Sequence, residues 1–247
     1  MSSKFWIAFP LGLLLILTGW AYHNRRVVVF VSNDVSVTIP EGKNIGEIDA
    51  LLTTAGVISP GALLASASFP LEGTLFPDTY RFNRNSSVEE IVKKMQGNFE
   101  RRATEQKLVI TPSSLIISSL LEKEVRTEED MRLVAGIIDK RRSVGMALQI
   151  DASVAYGVCQ KLFVQGKYCE VSQVNLVDNL KRDSAYNTYT RTGLPVGPIS
   201  NPGIKALRAA LNPMTSAYWY CLSAPDGTTI FSKTFDEHNR ARARYLR

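Results

Sequence analysis

The stretch Ile117-Ser118-Ser119-Leu120-Leu121-Glu122-Lys123-Glu124 decides how this chain of 247 residues is interpreted. Thr111-Pro112 precedes it with the pattern of a helix N-cap followed by proline at the first helical position. The stretch is therefore predicted to form the second half of a helix. Its glutamates follow a dense apolar run, and apolar surroundings disfavour the charged form of a carboxyl group. We expect a helix that places candidate acid groups beside the core.

Helical and strand-like patterns lie on both sides of this helix. Ser87 to Glu90 has capping-box spacing ahead of an apolar stripe, and Thr127 is predicted to begin another helix. Near the C-terminus, Tyr218 to Leu222 and Thr228 to Phe231 are predicted to be strands joined by a turn. No strand–helix–strand rhythm occurs, so we expect an α+β fold.

Further strings occur in a fixed order around the helix. They are Glu72-Gly73-Thr74-Leu75-Phe76-Pro77-Asp78-Thr79-Tyr80, Leu148-Gln149-Ile150-Asp151, Ala185-Tyr186-Asn187-Thr188-Tyr189-Thr190, Gly193-Leu194-Pro195-Val196-Gly197 and Asn201-Pro202-Gly203. Together they resemble the endolytic murein transglycosylase (YceG-like) family of bacterial cell-wall enzymes. The resemblance runs from about Val37 to the C-terminus. It implies a mixed α/β catalytic domain that acts on peptidoglycan.

The resemblance implies that Glu122, the first glutamate of the Glu-Lys-Glu triplet, is the catalytic acid. Cutting a glycosidic bond needs a carboxylic acid that is still protonated near neutral pH and therefore partly desolvated. Ser118 and Ser119, on the preceding turn, are small and would leave room for a sugar. The family is understood to use one acid, because the sugar's own hydroxyl attacks and a 1,6-anhydro-MurNAc end is released.

We therefore expect a lytic transglycosylase, a peptidoglycan lyase that cuts the MurNAc-GlcNAc bond within strands and terminates nascent glycan chains. Two alternatives remain open for the acid. Glu122 could be a solvated glutamate paired with Arg126 at i+4, which residue chemistry by itself favours. Glu124 is a competing acid because apolar neighbours would crowd it, and it could equally be a boundary residue beside the core.

Six further residues are predicted to bind the substrate, namely Gln149, Asp151, Tyr186, Asn187, Tyr189 and Glu72. Gln149 and Asp151 are two positions apart and would point the same way on an extended segment. The aromatic faces and the amide in the second string are types that line sugar sites. A structural role for these loops fits the composition equally well. Asp151 and Glu72 could also serve as second carboxylates of a hydrolase, although Glu72 suits a junction between domains better.

The N-terminus predicts a membrane anchor, because Phe5 to Tyr22 contains no charged residue and is long enough to cross a bilayer. A cleaved signal peptide is the alternative, but no small-residue cleavage site follows. Flanking charges do not fix the orientation. The resemblance implies a single-pass protein of the bacterial inner (plasma) membrane whose catalytic domain is periplasmic or extracytoplasmic.

Three segments are expected. Residues 1–26 would be a cytoplasmic stub and transmembrane helix, 27–70 a shortened LysM-like segment, and 71–247 the transglycosylase domain. Within the second segment, Val27 to Val31 and Val35 to Ile39 are predicted to form a hairpin.

Composition narrows the range of partners. The chain has 29 Lys and Arg against 23 Asp and Glu, a net charge of +6 that favours anionic lipid or wall polymer. No basic stripe interleaved with aromatics occurs, so we expect no nucleic-acid binding. The expected partners are peptidoglycan strands and cell-wall synthases of the penicillin-binding type.

The cysteines and histidines offer little for a metal. Cys159, Cys169 and Cys221 lack C-x-x-C spacing, and His23 and His238 are the only histidines. We expect neither metal nor cofactor. Cys159 and Cys169 could close a short loop as a disulfide if the domain lies outside the cytoplasm, whereas Cys221 is predicted to be a buried thiol.

Two strings depart from the family pattern. Lys140-Arg141-Arg142 stands where the family commonly has Asn-Arg-Leu, and Asp151-Ala152-Ser153-Val154 stands where it has Asp-Pro-Thr-Val. These departures and the shortened second segment leave one alternative function open. It is a catalytically inactive peptidoglycan-binding or scaffold protein that recruits cell-wall synthases.

Overall fold

The computed structural model describes residues 33–66, 71–84 and 86–246. The helices are α1 Ile45–Thr54, α2 Ala62–Ala65, α3 Val88–Glu105, α4 Pro112–Glu124, α5 Glu128–Ser143, α6 Asp151–Phe163, α7 Leu176–Asn179, α8 Ile204–Leu211 and α9 Phe235–Tyr245. The strands are β1 Asp34–Thr38, β2 Thr79–Asn83, β3 Tyr220–Ser223 and β4 Thr229–Ser232. The mixed α+β class predicted from the sequence is confirmed.

The predicted membrane span, Phe5 to Tyr22, and the predicted strand Val27 to Val31 lie outside the described residues. Within the described residues, no helix combines the length and the apolar character that crossing a bilayer requires.

Strands pair in two small antiparallel sheets in the part of the chain that the structure describes. β1 pairs with β2, with Val37 opposite Tyr80, so the sheet joins segments far apart in sequence. β3 and β4 form the predicted C-terminal hairpin, whose turn contains Gly227 at φ 88°. The β1–β2 pairing places the segment before α1 on the same core as the rest of the domain.

Helix α4 lies at the centre of that core. Thr111 caps it, Pro112 occupies its first turn, and its residues from Ile117 to Leu121 are all buried. Local sequence therefore determines where the helix begins, whereas tertiary packing encloses it on nearly every side.

The expectation that Ser118 and Ser119 leave room for a sugar is wrong. Both are fully buried. The Ser119 hydroxyl accepts a hydrogen bond from the Ile199 N–H at 3.1 Å, and Ser200 donates to the Ser119 carbonyl at 3.0 Å. The space beside these small side chains is occupied by the loop that leads into α8, which they allow to approach α4 closely.

Glu72 is a buried junction between three parts of the fold. Its carboxyl group accepts hydrogen bonds from the Tyr156 hydroxyl at 2.8 Å, the Ile45 N–H at 3.1 Å and the Asn201 amide at 2.7 Å. Burial raises the pKa of Glu72 from its usual 4.5 to about 7, against the lowering effect of these donors. These contacts match the junction interpretation of the sequence.

The altered residue Lys140 also has a structural partner. Its ammonium group lies 4.0 Å from the centre of the Trp219 ring and donates to the carbonyls of Ser216 and Tyr218. Lys140 therefore attaches the chain before β3 to helix α5.

Cys159 and Cys169 form a disulfide, with 5.2 Å between their Cα atoms, and the predicted pairing is confirmed. Cys221 is a free thiol on β3; the residue as a whole is half-buried, and its side chain packs against the core. Burial raises the pKa of this thiol to about 12. The bridge joins Cys159, within the second half of helix α6, to the segment that follows the helix.

Thiol titration tests this pairing. In denaturant without reductant, we expect only Cys221 to react, and reduction should release the other two thiols. Reduction should also lower the free energy of unfolding by about 3 kcal/mol, because the short loop regains freedom in the unfolded chain. Urea unfolding with and without reductant measures this loss. Three reactive thiols before reduction would contradict the bridge.

The pH dependence of stability tests the burial of Glu72. Its folded-state pKa is raised from 4.5 to about 7. Between these values the unfolded chain has released a proton that the folded protein keeps, so stability should fall as pH rises through this window. Glu72→Gln should show a smaller fall in urea unfolding between pH 5 and pH 8. The exposed Glu89→Gln is the matched control, and equal slopes in both variants would contradict the assignment.

Candidate active site

Glu122 lies half-buried on the face of α4 that meets two glycine-containing loops. Its carboxylate accepts the Gly203 N–H at 2.9 Å, at the start of α8. A Cβ atom at Gly42 would lie 3.2 Å from the Glu122 side chain, and one at Gly203 would overlap the Glu41 carboxylate. Burial raises the pKa of Glu122 to about 6, while the Gly203 N–H acts against this rise. One oxygen of the Glu122 carboxylate therefore links α4 to the start of α8.

The two loops around Glu122 are themselves joined. The Gly42 N–H donates to the Asn201 carbonyl at 3.0 Å, and the Asn201 N–H donates to the Lys43 carbonyl at 2.9 Å. Lys123 reaches the Gly42 carbonyl at 3.3 Å. These bonds place both glycine loops firmly over the Glu122 face of the helix.

Glu124 ends α4 on a different face. Burial raises the pKa of Glu124 to about 7, the nearby Asp151 carboxylate raises it further, and Lys123 opposes both effects. No side chain or N–H group among the described residues donates a hydrogen bond to its carboxyl group. Its backbone carbonyl is held by the Ser223 hydroxyl of β3. Glu124 is thus fixed in position while its acid group stays uncommitted.

Asp151 and Tyr189 lie near enough to Glu124 for the Asp151 charge to raise the pKa of Glu124 and for the Glu124 charge to raise the pKa of Tyr189. The Tyr189 hydroxyl donates to the Asp151 carboxylate, which belongs to the first residue of α6. Burial and this carboxylate raise the pKa of Tyr189 well above its usual range. The N-terminus of a helix favours a negative charge. The structure therefore brings Glu124, Asp151 and Tyr189 together as a polar cluster, which we call the Glu124 cluster.

Gln149 lies next to this cluster in an unusual backbone conformation. Its φ is 55°, and its N–H donates to the Thr188 carbonyl at 3.0 Å. The Ile150 N–H donates to the Thr188 hydroxyl at 2.8 Å. The expected extended segment is wrong, because Gln149 is left-handed and Asp151 already begins a helix. Strained residues of this kind occur often at functional sites.

Tyr186 and Glu72 lie elsewhere, on the wall of a cavity of about 840 Å³. The Tyr186 ring packs edge-on against Tyr156 with 5.0 Å between ring centres. Most of the remaining wall is apolar, and neither Glu122 nor Glu124 belongs to it. The structure therefore separates these two predicted substrate-binding residues from the Glu124 cluster.

Asn187 has a structural position. Its amide nitrogen donates to the carbonyls of Asn179, Leu180 and Arg182, and its amide oxygen accepts the Tyr189 and Thr190 N–H groups. The side chain is buried and uses its whole hydrogen-bonding capacity in this loop. Asn187 shapes the loop that presents Tyr189 and has no donor or acceptor left for a sugar.

Two residues near the site were not predicted. Thr188 holds the backbone of Gln149 and Ile150, and Arg141 donates to the Leu148 carbonyl at 2.7 Å. Thr188 lies inside one of the family-like strings, which was the available signal. The role of Arg141 depends on contacts across 78 residues, and sequence spacing carries no sign of them.

A metal site was also sought among the described residues. Among residues 33–66, 71–84 and 86–246, no group of three or more His, Cys, Asp and Glu side chains is arranged to hold a metal ion.

A family model and several known sequences are similar to this chain. The model of the YceG-like family matches residues 21–244. An endolytic murein transglycosylase of Bacillus subtilis is 38% identical over 184 residues, covering 72% of this chain and 48% of the relative. One of Streptococcus pneumoniae is 26% identical over 193 residues, covering 74% of this chain and 33% of the relative. The chain thus spans about half or less of the length of these curated relatives.

A solved structure is also similar to this chain. The crystal structure of a yceG-like protein from Listeria monocytogenes superposes with a TM-score of 0.65 at 30% identity, covering 83% of this chain and 75% of that one. Because the family model extends over most of the sequence, including all the site residues described above, the chain belongs to the YceG-like family.

Proposed function

We propose that this chain is an endolytic murein transglycosylase that cuts the MurNAc-GlcNAc bond within peptidoglycan strands. The observation that carries the proposal is the Glu124 cluster, in which a carboxyl group with a pKa of about 7 and no hydrogen-bond donor lies beside the Asp151–Tyr189 pair. Such a group keeps its proton near neutral pH and is available to a ligand. The names of the relatives from Bacillus subtilis and Streptococcus pneumoniae support the same reaction.

Glu124 fits the role of proton donor better than Glu122. The sequence resemblance pointed to Glu122, and that assignment stays a prediction. One oxygen of the Glu122 carboxyl group accepts the Gly203 N–H and its side chain lies against Gly42, so Glu122 also has a packing role between α4 and α8. Glu124 has no such contact and lies among predicted substrate-binding residues.

The reaction needs one acid that later acts as a base. Glu124 gives its proton to the oxygen bridging MurNAc C1 and GlcNAc, and the C1–O bond breaks. The C6 hydroxyl of the same MurNAc then bonds to C1, and its proton returns to the Glu124 carboxylate. No water is consumed, and the product is a 1,6-anhydro-MurNAc end. The Asp151 carboxylate would stabilise the positive charge that develops at the sugar ring.

The other predicted residues take supporting roles in this proposal. Gln149, exposed beside the cluster, would bind a sugar hydroxyl or acetamido group. Tyr189 orients Asp151. Tyr186 and the cavity it lines would contact the glycan strand only beyond the cleaved bond, because they lie apart from Glu124. Glu72 would support the fold and not the sugar.

We further propose that the catalytic domain is outside the cytoplasm of a bacterium, attached to the inner membrane by residues 5–22. The Cys159–Cys169 disulfide supports an oxidising compartment. In this arrangement the enzyme would terminate nascent glycan strands near penicillin-binding synthases. The segment 27–70, proposed as LysM-like, would contribute Glu41 and Gly42 to the wall around Glu122.

Substituting each of the two glutamates in turn tests which one is the catalytic acid. Glu124→Gln should lower release of fragments from purified sacculi by roughly 100-fold or more, since general acids contribute about that much. Glu122→Gln should cost about tenfold or less, through looser packing of α8. Fragment release is followed by mass spectrometry, with the melting temperature of each variant as control. A larger loss in Glu122→Gln would return the acid role to Glu122.

The same assay separates the competing functions. Fragments with anhydro ends are the expected product, whereas reducing ends would indicate a hydrolase. A protein that sediments with sacculi and releases nothing would be the scaffold considered from the sequence.

The pH profile tests the protonation state of the donor. Burial and Asp151 raise the pKa of Glu124 to about 7, and the acid is active only when protonated. The value of kcat/KM should therefore fall as pH rises through about 7. In Asp151→Asn, loss of the neighbouring negative charge lowers the pKa of Glu124, so the fall should occur at lower pH. An unchanged inflection would contradict the proximity of the two carboxyl groups.

A further inference from the structure

Arg141, near the end of α5, is a buried arginine with unusual partners. Its side chain is 7% exposed. Its Nε donates to the Trp219 carbonyl at 2.8 Å, and its Nη1 donates to the Leu148 carbonyl at 2.7 Å. Its guanidinium group lies over the Tyr220 ring, 4.9 Å from the centre. Within the described residues, no carboxylate lies at ion-pair distance from it. Its partners are backbone carbonyls and an aromatic face.

These partners belong to the two segments that border the Glu124 cluster. Leu148 directly precedes Gln149, Ile150 and Asp151, so the first hydrogen bond fixes the chain that delivers the Asp151 carboxylate. Trp219 directly precedes β3, and the Ser223 hydroxyl at the end of β3 holds the Glu124 carbonyl. A single side chain therefore links the segment of Asp151 to the strand that supports Glu124.

An arginine suits this position better than a lysine. A planar guanidinium group offers donors in a fixed fork, so two carbonyls on different segments are held at a defined separation, and its flat face stacks on a ring. A lysine ammonium group would lose this geometry. Burying a charge without an opposite charge is unfavourable. We therefore explain the buried Arg141 by its effect on the position of the two segments and not by a gain in stability.

We propose that Arg141 is a positioning residue of the active site, which sets the Gln149–Asp151 segment at its working distance from Glu124. The role rests on the proposed function, because it concerns the same site. It predicts that loss of Arg141 impairs the chemical step while the rest of the fold survives.

Lys140 provides the matched control. It is the neighbouring residue on α5 and holds the same chain before β3 through the carbonyls of Ser216 and Tyr218, and neither of these hydrogen bonds involves Leu148. If Arg141 served only to attach that chain, Lys140→Met and Arg141→Met would have the same consequences. Arg142→Met, on the exposed side of α5, controls for loss of a positive charge.

The experiment compares these variants of the full chain in two measurements. The first is kcat and KM on glycan strands at a temperature where each variant is folded by circular dichroism. A small displacement of reacting groups can cost about 100-fold, so Arg141→Met should lower kcat by roughly that factor with little change in KM. Arg141→Lys should also lower kcat substantially. Lys140→Met and Arg142→Met should stay within about threefold of the parent.

The second measurement is hydrogen exchange of the peptide that contains residues 147–151, read by mass spectrometry. In the parent, the Gln149 and Ile150 N–H groups bond to Thr188 and should exchange slowly. Arg141→Met should speed their exchange, whereas Lys140→Met should not. This measurement does not require an active enzyme. If the parent protein were inactive, the proposed function would be refuted, and the hydrogen exchange of residues 147–151 would still test whether Arg141 positions that segment.

Two results would overturn the role of Arg141. One is unchanged exchange of residues 147–151 in folded Arg141→Met. The other is an equal loss of kcat in Lys140→Met and Arg141→Met, which would indicate a general support of the C-terminal chain.

Discussion

The hydrogen bonds of Asn201 are the interaction on which the rest of the structure depends. Its side chain accepts the Leu75 N–H at 2.8 Å and donates to Glu72 and to the Lys43 carbonyl. Its backbone pairs with the loop around Gly42. One fully buried residue therefore joins the segment before α1, the segment before β2 and the loop that begins α8. A buried amide left without these partners would be unfavourable, so the three segments can pack only together.

This junction explains why the two glutamates at the end of α4 differ. Residues two apart on a helix lie on nearly opposite faces. Glu122 faces the Asn201 loop and accepts the Gly203 N–H, whereas the Glu124 carboxyl group lies near Asp151, the first residue of α6. One helix thus presents two carboxyl groups in different surroundings, because its two faces contact different parts of the fold.

Local signals in the sequence were sufficient for much of the fold. Capping residues such as Ser87, Thr111 and Thr127 marked the starts of helices, because their side chains satisfy N–H groups within the next three residues. The C-terminal hairpin followed from its turn residues. The pairing of β1 with β2 was not predictable, since alternation along a strand does not identify its partner. The membrane span and the first predicted strand lie outside the described residues.

For the candidate site, the sequence by itself determined which residue types were available: an apolar helix ending in Glu122 and Glu124, and loops carrying Gln149, Asp151 and Tyr189. Tertiary structure decided their surroundings. It brought Asp151 near Glu124, buried Asn187 and Glu72 in hydrogen bonds within the fold, and joined Arg141 to Trp219 across 78 residues. Acid strength and hydrogen-bond commitment depend on burial and on neighbours in space, and the order of residues along a chain does not specify these.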